Sequence, residues 1–197
     1  LARRRGLSLV ELIVSLFLFG LLSSCIAVLI RTGLEYLRQA EARAELQRSS
    51  LFVLSEMTRE IAESSRDAIR LADPGEPPGL VYASPRGTNG VSYINNRLAW
   101  KQLACIYLDD SNHLLMKARE DLASASTFVP DLSPLGLNRS VSHFVALNPG
   151  SKNVLARNVS AFEVSGTGHL TLRLEVSLEE GSFTSRLSSQ TGVSPGH

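Results

Sequence analysis

Glu11 stands almost at the start of an otherwise apolar run of 24 residues, Leu7 to Ile30, which follows directly on Ala2-Arg3-Arg4-Arg5-Gly6. A run of that length can cross a bilayer as a helix, and a lone carboxylate inside it costs roughly 2.5–3.5 kcal/mol by analogy with Asp at a helix centre on the insertion scale. Such a group calls for a partner. The residues just before it can supply one: cleavage after Gly6 would free the α-amino group of Leu7, a cation four residues ahead of the carboxylate. Arg3, Arg4 and Arg5 hold the segment before the cut on the cytoplasmic side, because basic residues beside a span stay inside.

This constellation is similar to the prepilin signal of type IV pilins and pseudopilins, which has a basic leader, Gly before the cut and Glu at the fifth mature position. The resemblance implies that a prepilin peptidase cleaves between Gly6 and Leu7, that Leu7 becomes N-methylated, and that Glu11 pairs with a terminal amine during filament assembly. The apolar segment would then stay with the mature protein, unlike the discarded core of a secretory signal. Leu7 and Ser8 depart mildly from the Phe and Thr usual at the first two mature positions.

The elements that must present these residues can be read from periodicity. From Arg31 to Leu71 there is no Pro, Gly33 is the only Gly, and seven Arg balance seven Asp plus Glu. Pairs such as Arg31/Glu35, Glu45/Arg48, Arg59/Glu63 and Asp67/Arg70 stand at helical spacing and mark a solvated face. Leu51, Leu54, Met57, Ile61 and Ala68 mark the apolar stripe that should pack on a following domain. One helix of some 60 residues would be roughly 90–100 Å long. It should end at Pro74-Gly75-Glu76-Pro77-Pro78-Gly79, since Pro lacks the amide donor.

Beyond that turn the period becomes two. Residues 80–83, 91–94 and 103–108 read as strands, and Asp109-Asp110-Ser111-Asn112 as a hairpin turn returning through 113–117. Residues 118–139 read as a loop-dominated insertion, 142–147 as a strand, and 159–165, 169–178 and 183–188 as a three-strand meander. Leu170, Leu172, Leu174, Val176 and Leu178 alternate without a break, so one face of that sheet should be buried against residues 51–69. The fold class expected is α+β, a long N-terminal helix packed on an antiparallel sheet. The organisation is a leader at 1–6, a membrane and filament-core helix at 7–30, an amphipathic helix at 31–73, a β domain at 74–190 and a disordered tail at 191–197.

Composition narrows the function classes. About 165 of the 197 residues lie beyond the span, enough for one modest domain with its own core. Net charge is only +1, which gives no electrostatic case for nucleic acid. Cys25 falls in the apolar run and Cys105 in the domain, so both read as unpaired. His113, His143, His169 and His197 are scattered without metal-ligand spacing, and His143 and His169 read as strand residues. Asp109, Asp110 and Asn112 lack the Gly and terminal Glu of a calcium loop and read as a turn. Asn138-Arg139-Ser140 and Asn158-Val159-Ser160 match the glycosylation sequon, a frequent chance pattern. No catalytic residue, metal site or cofactor is expected, and the chain reads as a non-enzyme.

Within the superfamily, residues 54–61 ending near Arg66-Asp67-Ala68, the segment Ile106-Tyr107-Leu108-Asp109-Asp110 with Leu114-Leu115, and residues 154–162 resemble J-type minor pseudopilins and related minor pilins and competence pseudopilins. The Pro within the apolar helix and the disulfide loop common in major pilins are both missing. The resemblance implies a minor subunit at the tip of a type II secretion pseudopilus, pilus or DNA-uptake filament. Its partners would be other minor and major subunits, the prepilin peptidase, the inner-membrane platform protein and the membrane itself, with no nucleic acid bound directly. It would be a single-pass inner-membrane protein with its C-terminal domain in the periplasm. The alternatives are a lipoprotein, since Leu22-Ser23-Ser24-Cys25 loosely matches a lipobox, or a single-span anchored domain. Residues 26–30 stay apolar after Cys25, where a lipoprotein turns polar, and neither alternative explains Glu11.

Overall fold

The structure, a computed structural model, describes residues 8–87, 90–132, 136–166, 168–180 and 183–196. The chain divides into two units, Leu1–Arg43 and Ala44–His197. Helix α1, Leu9–Ala62, begins in the first and ends in the second.

In the first unit the described residues are the N-terminal part of α1, and its apolar side chains are uncovered: Leu9 is 75% and Phe19 70% exposed. The helix is long and apolar enough here to cross a membrane. Arg31 and Glu35 make the expected i, i+4 ion pair at 3.3 Å.

The second unit holds the remainder of α1 and two antiparallel sheets. After a 3-10 turn at Arg66–Ala68 come β1 (Ile69–Leu71), β2 (Gly79–Ser84), the short hairpins β3–β4 (Arg86–Gly87, Gly90–Val91) and β5–β6 (Tyr93–Ile94, Arg97–Leu98), β7 (Trp100–Asp109) and β8 (Leu114–Ser126). A short helix α2 (Val141–Val145) leads to β9 (Lys152–Arg157), β10 (Val159–Ser165), β11 (Leu170–Glu180) and β12 (Phe183–Val193). The larger sheet runs β1-β2-β7-β8-β9 and the smaller β10-β11-β12, the latter being the expected meander. The fold is α+β, a long N-terminal helix packed on antiparallel sheets.

Period-two alternation sorts the larger sheet's side chains. Leu80, Tyr82, Ala104, Ile106 and Leu115 face the core shared with α1 and with Leu170, Leu172, Leu174 and Val176 of β11. Val81, Ala83, Leu103, Cys105 and Ala118 point the other way, onto Leu132 and onto Val141 and Phe144 of α2.

Several expectations are corrected. The helix ends at Ala62 rather than running through 73. Ser64 N–H turns back to the Ile61 carbonyl at 3.0 Å, and Ile69–Leu71, read as helix, pairs with Leu80–Tyr82 as a strand. The buried stripe on α1 is Leu46, Ser50, Val53, Leu54, Met57, Glu60 and Ile61, whereas Leu51 is 53% exposed and Ala68 belongs to the core under α2. Of the helical charge pairs, Glu63 turns instead to Arg86 and Arg70 to Asp73. Residues 118–126 extend β8 because Gln102 and Trp100 pair with Asp121 and Ser126. Ser and Ala there carry little apolar patterning, so the ladder rather than the side chains decides.

The expected strand at 142–147 is α2 instead. Val141 and Phe144 are buried at helical spacing, and Ser140 caps the helix by accepting from His143 N–H at 3.4 Å. The segment 191–197, expected to be disordered, is structured through residue 196. Val193 is in the core, and Gly196 N–H donates to the Ala62 carbonyl at 3.1 Å, satisfying an orphan group at the end of α1.

Candidate functional site

Glu11 lies in the first turn of α1, where the sequence Ser8-Leu9-Val10-Glu11 forms a reciprocal cap. Ser8 N–H donates to Glu11 Oε2 at 2.9 Å, and Glu11 N–H donates to Ser8 Oγ at 3.2 Å. This is the capping-box arrangement of Ser and Glu three residues apart, which satisfies two orphan amide donors at once. A carboxylate in the first turn also lies at the positive end of the helix dipole.

These contacts offset part of the cost of placing Glu11 in an apolar segment. A cap is worth about 0.5–2 kcal/mol and a first-turn carboxylate about 0.3–1 kcal/mol. The insertion cost of roughly 2.5–3.5 kcal/mol holds at the centre of a membrane helix, and Glu11 lies in the first turn, so the two contributions offset a large part of the smaller cost that applies there. The helix holds the carboxylate in place, and an amine beside it in a low-dielectric surrounding would stabilise it further. The cap occupies Oε2 and leaves the second carboxylate oxygen for such a partner.

Arg3, Arg4, Arg5, Gly6 and Leu7 lie outside the described residues, so the structure brings together only Glu11 and Ser8 from this region. The role of Ser8 was missed in the sequence although its signal, Ser-x-x-Glu before an apolar run, is present. Cys25 sits within α1, which continues unbroken on both sides, and its thiol is free and exposed.

A second polar centre lies inside the domain, where the end of α1 meets the larger sheet. Lys117 Nζ approaches Glu60 Oε1 at 2.5 Å and Glu56 Oε1 at 3.3 Å. The side chains of Lys117 and Glu60 are 3% and 6% exposed. The Tyr82 hydroxyl donates to Glu60 Oε2, and Arg119 stands 3.5 Å from Oε1. Burial works to raise the Glu60 pKa, but hydrogen bonds from Lys117 and Tyr82 and the charges of Lys117 and Arg119 outweigh it and hold it below the usual carboxylate value. Burial, with Glu60 adjacent, pushes the Tyr82 phenol well above its ordinary value. Every strong donor and acceptor here has a partner, and the arrangement fixes the register of α1 on the sheet rather than offering a reactive group.

The remaining polar candidates are local. Asp109 accepts from Ser111 Oγ at 2.6 Å and Asn112 Nδ2 at 2.8 Å, and these bonds hold its carboxyl below the usual range. Those contacts close the β7–β8 turn, with His113 at φ 53° completing it. His143 belongs to α2 rather than a strand, and its Nε2 lies 3.0 Å from Glu120. His169 precedes β11 rather than lying within it, with Nδ1 3.0 Å from Ser194 Oγ. Burial raises the Cys105 thiol pKa, with the charge of Glu76 adding to it.

Residues 1–24 match the family described as the prokaryotic N-terminal methylation motif. No curated protein and no solved structure matches the chain. The motif supports a type IV pilin-like subunit, with a structural rather than enzymatic role, assembly with other pilin-type subunits and processing by a prepilin peptidase. The motif and the long apolar start of α1 fit a single-pass membrane anchor.

Proposed function

We propose that this chain is a minor subunit of a type IV pilin-like filament, most similar to the J-type minor pseudopilins of type II secretion, and that it assembles at the filament tip. The pilin-like part of the reading rests on Glu11, held by Ser8 in the first turn of an exposed apolar helix within the matched motif, and the J-type part rests on the resemblance of residues 54–61, 106–110 with 114–115, and 154–162. The leader Arg3, Arg4 and Arg5 stays in the cytoplasm, the peptidase cuts between Gly6 and Leu7, and Leu7 is methylated. Residues 7–30 then serve first as inner-membrane anchor and afterwards as filament interface, and the rest of the domain lies on the periplasmic side. Glu11 of an incoming subunit pairs with the terminal amine of a neighbour while the platform protein extends the filament.

Co-expression with a prepilin peptidase tests the first step. Wild type should lose residues 1–6 and carry one added methyl group on Leu7, and Gly6→Val should remain uncleaved. Mass spectrometry showing a lipidated Cys25 at the mature terminus would overturn the reading in favour of a lipoprotein.

A further inference from the structure

We propose that residues 27–38 of α1 form a binding site for a phospholipid headgroup that carries a primary ammonium beside its phosphate. This rests on the membrane-anchor reading above and names the lipid that meets the far end of the span before assembly. The site lies wholly within the first unit. A shallow cleft along α1 is lined by Ala27, Ile30, Arg31, Leu34, Glu35 and Arg38. At steps of three and four residues these side chains share one face of the helix, apolar at its start and charged at its end.

Length places this face at the membrane boundary. From Leu9 to Ile30 the helix rises about 32 Å, close to the roughly 30 Å of a bilayer's hydrocarbon core. The charges begin at the next residue. Tyr36 stands exposed just beyond it, and Tyr is enriched at the level of lipid headgroups. Helical side chains lean toward the N-terminus, so Glu35 and Arg38 lean back toward the apolar run rather than away from it. Leu34, also exposed, keeps the floor between Arg31 and Arg38 apolar, where the upper part of an acyl chain can lie.

Charge selects the headgroup. Arg31 Nε pairs with Glu35 Oε1 at 3.3 Å, and both side chains stay largely exposed. That contact engages Oε1 and leaves Oε2 to accept from an ammonium. Arg38 has no ion-pair partner among the described residues, and its planar fork fits two phosphate oxygens. The next charge on this face is Glu41. Arg31, Glu35, Arg38 and Glu41 therefore alternate in sign and sum to zero, so an anionic headgroup gains no net attraction, whereas a zwitterion finds a match for each of its charges. A primary ammonium can donate to Glu35; a trimethylated one has no N–H to give.

The test uses the full chain in vesicles of dioleoyl phosphatidylethanolamine, phosphatidylcholine and phosphatidylglycerol in equal amounts. The photo-cross-linker p-benzoylphenylalanine stands at position 34 and, in a second set, at position 30, and mass spectrometry of the adducts identifies the lipid. The ethanolamine lipid should exceed each of the others about fivefold. Glu35→Gln should bring it level with the choline lipid, Arg38→Gln should remove most of the excess, and a probe at position 17, in the middle of the apolar run, should show none. Equal adducts from both probes, a preference for the glycerol headgroup, an excess that survives either substitution or recurs at position 17, or adducts with a second copy in place of lipid would overturn the proposal. Alkaline extraction of the same vesicles separates the readings: a chain that washes off refutes the anchor, whereas an inserted chain without the preference refutes only the headgroup site.

Discussion

Replacing Lys117 by Met should be among the most damaging single changes in the domain. Lys117 is the closest cation to Glu60, at 2.5 Å, and both side chains are almost fully buried. Met conserves most of the volume but leaves the Glu60 carboxylate with the Tyr82 hydroxyl and the half-exposed Arg119. Removing one partner of a buried pair costs about 3–5 kcal/mol, because the other charge stays desolvated. For a domain of this size, 1 kcal/mol shifts Tm by about 2–4 °C, so the expected loss is about 6–20 °C.

The sign of the pH dependence gives a second readout. In wild type the Glu60 pKa is lowered, so its contribution is present above the unfolded carboxylate value of about 4.3 and is lost as pH falls through the folded value. In Lys117→Met burial dominates and the pKa rises. The deficit is then fully present at neutral pH and shrinks as pH falls through the raised value. Adding Glu60→Gln removes the stranded charge while retaining a partner for Tyr82, and should restore most of the loss. The assay is thermal and guanidinium unfolding of the detergent-solubilised full chain, followed by Trp100, the sole tryptophan and a buried one. A single variant within about 1 kcal/mol of wild type, or a double variant no better than the single, would refute the account of this pair.

Glu11→Gln should separate capping from docking, since Gln can keep the cap with Ser8 but carries no charge. Membrane insertion should be retained and incorporation into the filament lost, with Glu11→Val behaving alike in assembly; equal incorporation of either variant and wild type would remove Glu11 as the docking group. Leu54→Asp should unfold the domain by placing an unpaired charge in the core under the sheets, where Leu54 is 4% exposed, and loss of native Trp100 emission would report it.

The sequence was most legible where one residue conflicted with its surroundings or where a period ran without interruption. Glu11 in an apolar run pointed to its own need for a partner, and the alternation from Leu170 to Leu178 gave both the meander and its buried face. Residues 64–71 were illegible for the opposite reason. Charges at helical spacing suggested a continuing helix, but pairing of Ile69–Leu71 with β2 and the Gly196 amide on the Ala62 carbonyl are long-range contacts that no local pattern records. The same holds for residues 118–126, whose strand is imposed by β7.

Glu60 and Lys117 show the limit most clearly. Spacing alone assigns charged residues to a solvated face, and that assignment holds for Arg31 and Glu35. It fails at Glu60 because Lys117, 57 residues along the chain, reaches the same buried place from β8. A charge next to the apolar stripe is therefore ambiguous until its partner is known. Glu11 differs because its observed partner is local: Ser8 is three residues away, and the α-amino group proposed to complete it is the terminus of a neighbouring subunit's helix. The docking chemistry proposed for Glu11 therefore draws on one short stretch, whereas the device that seats α1 on its sheet required the fold to bring its members together.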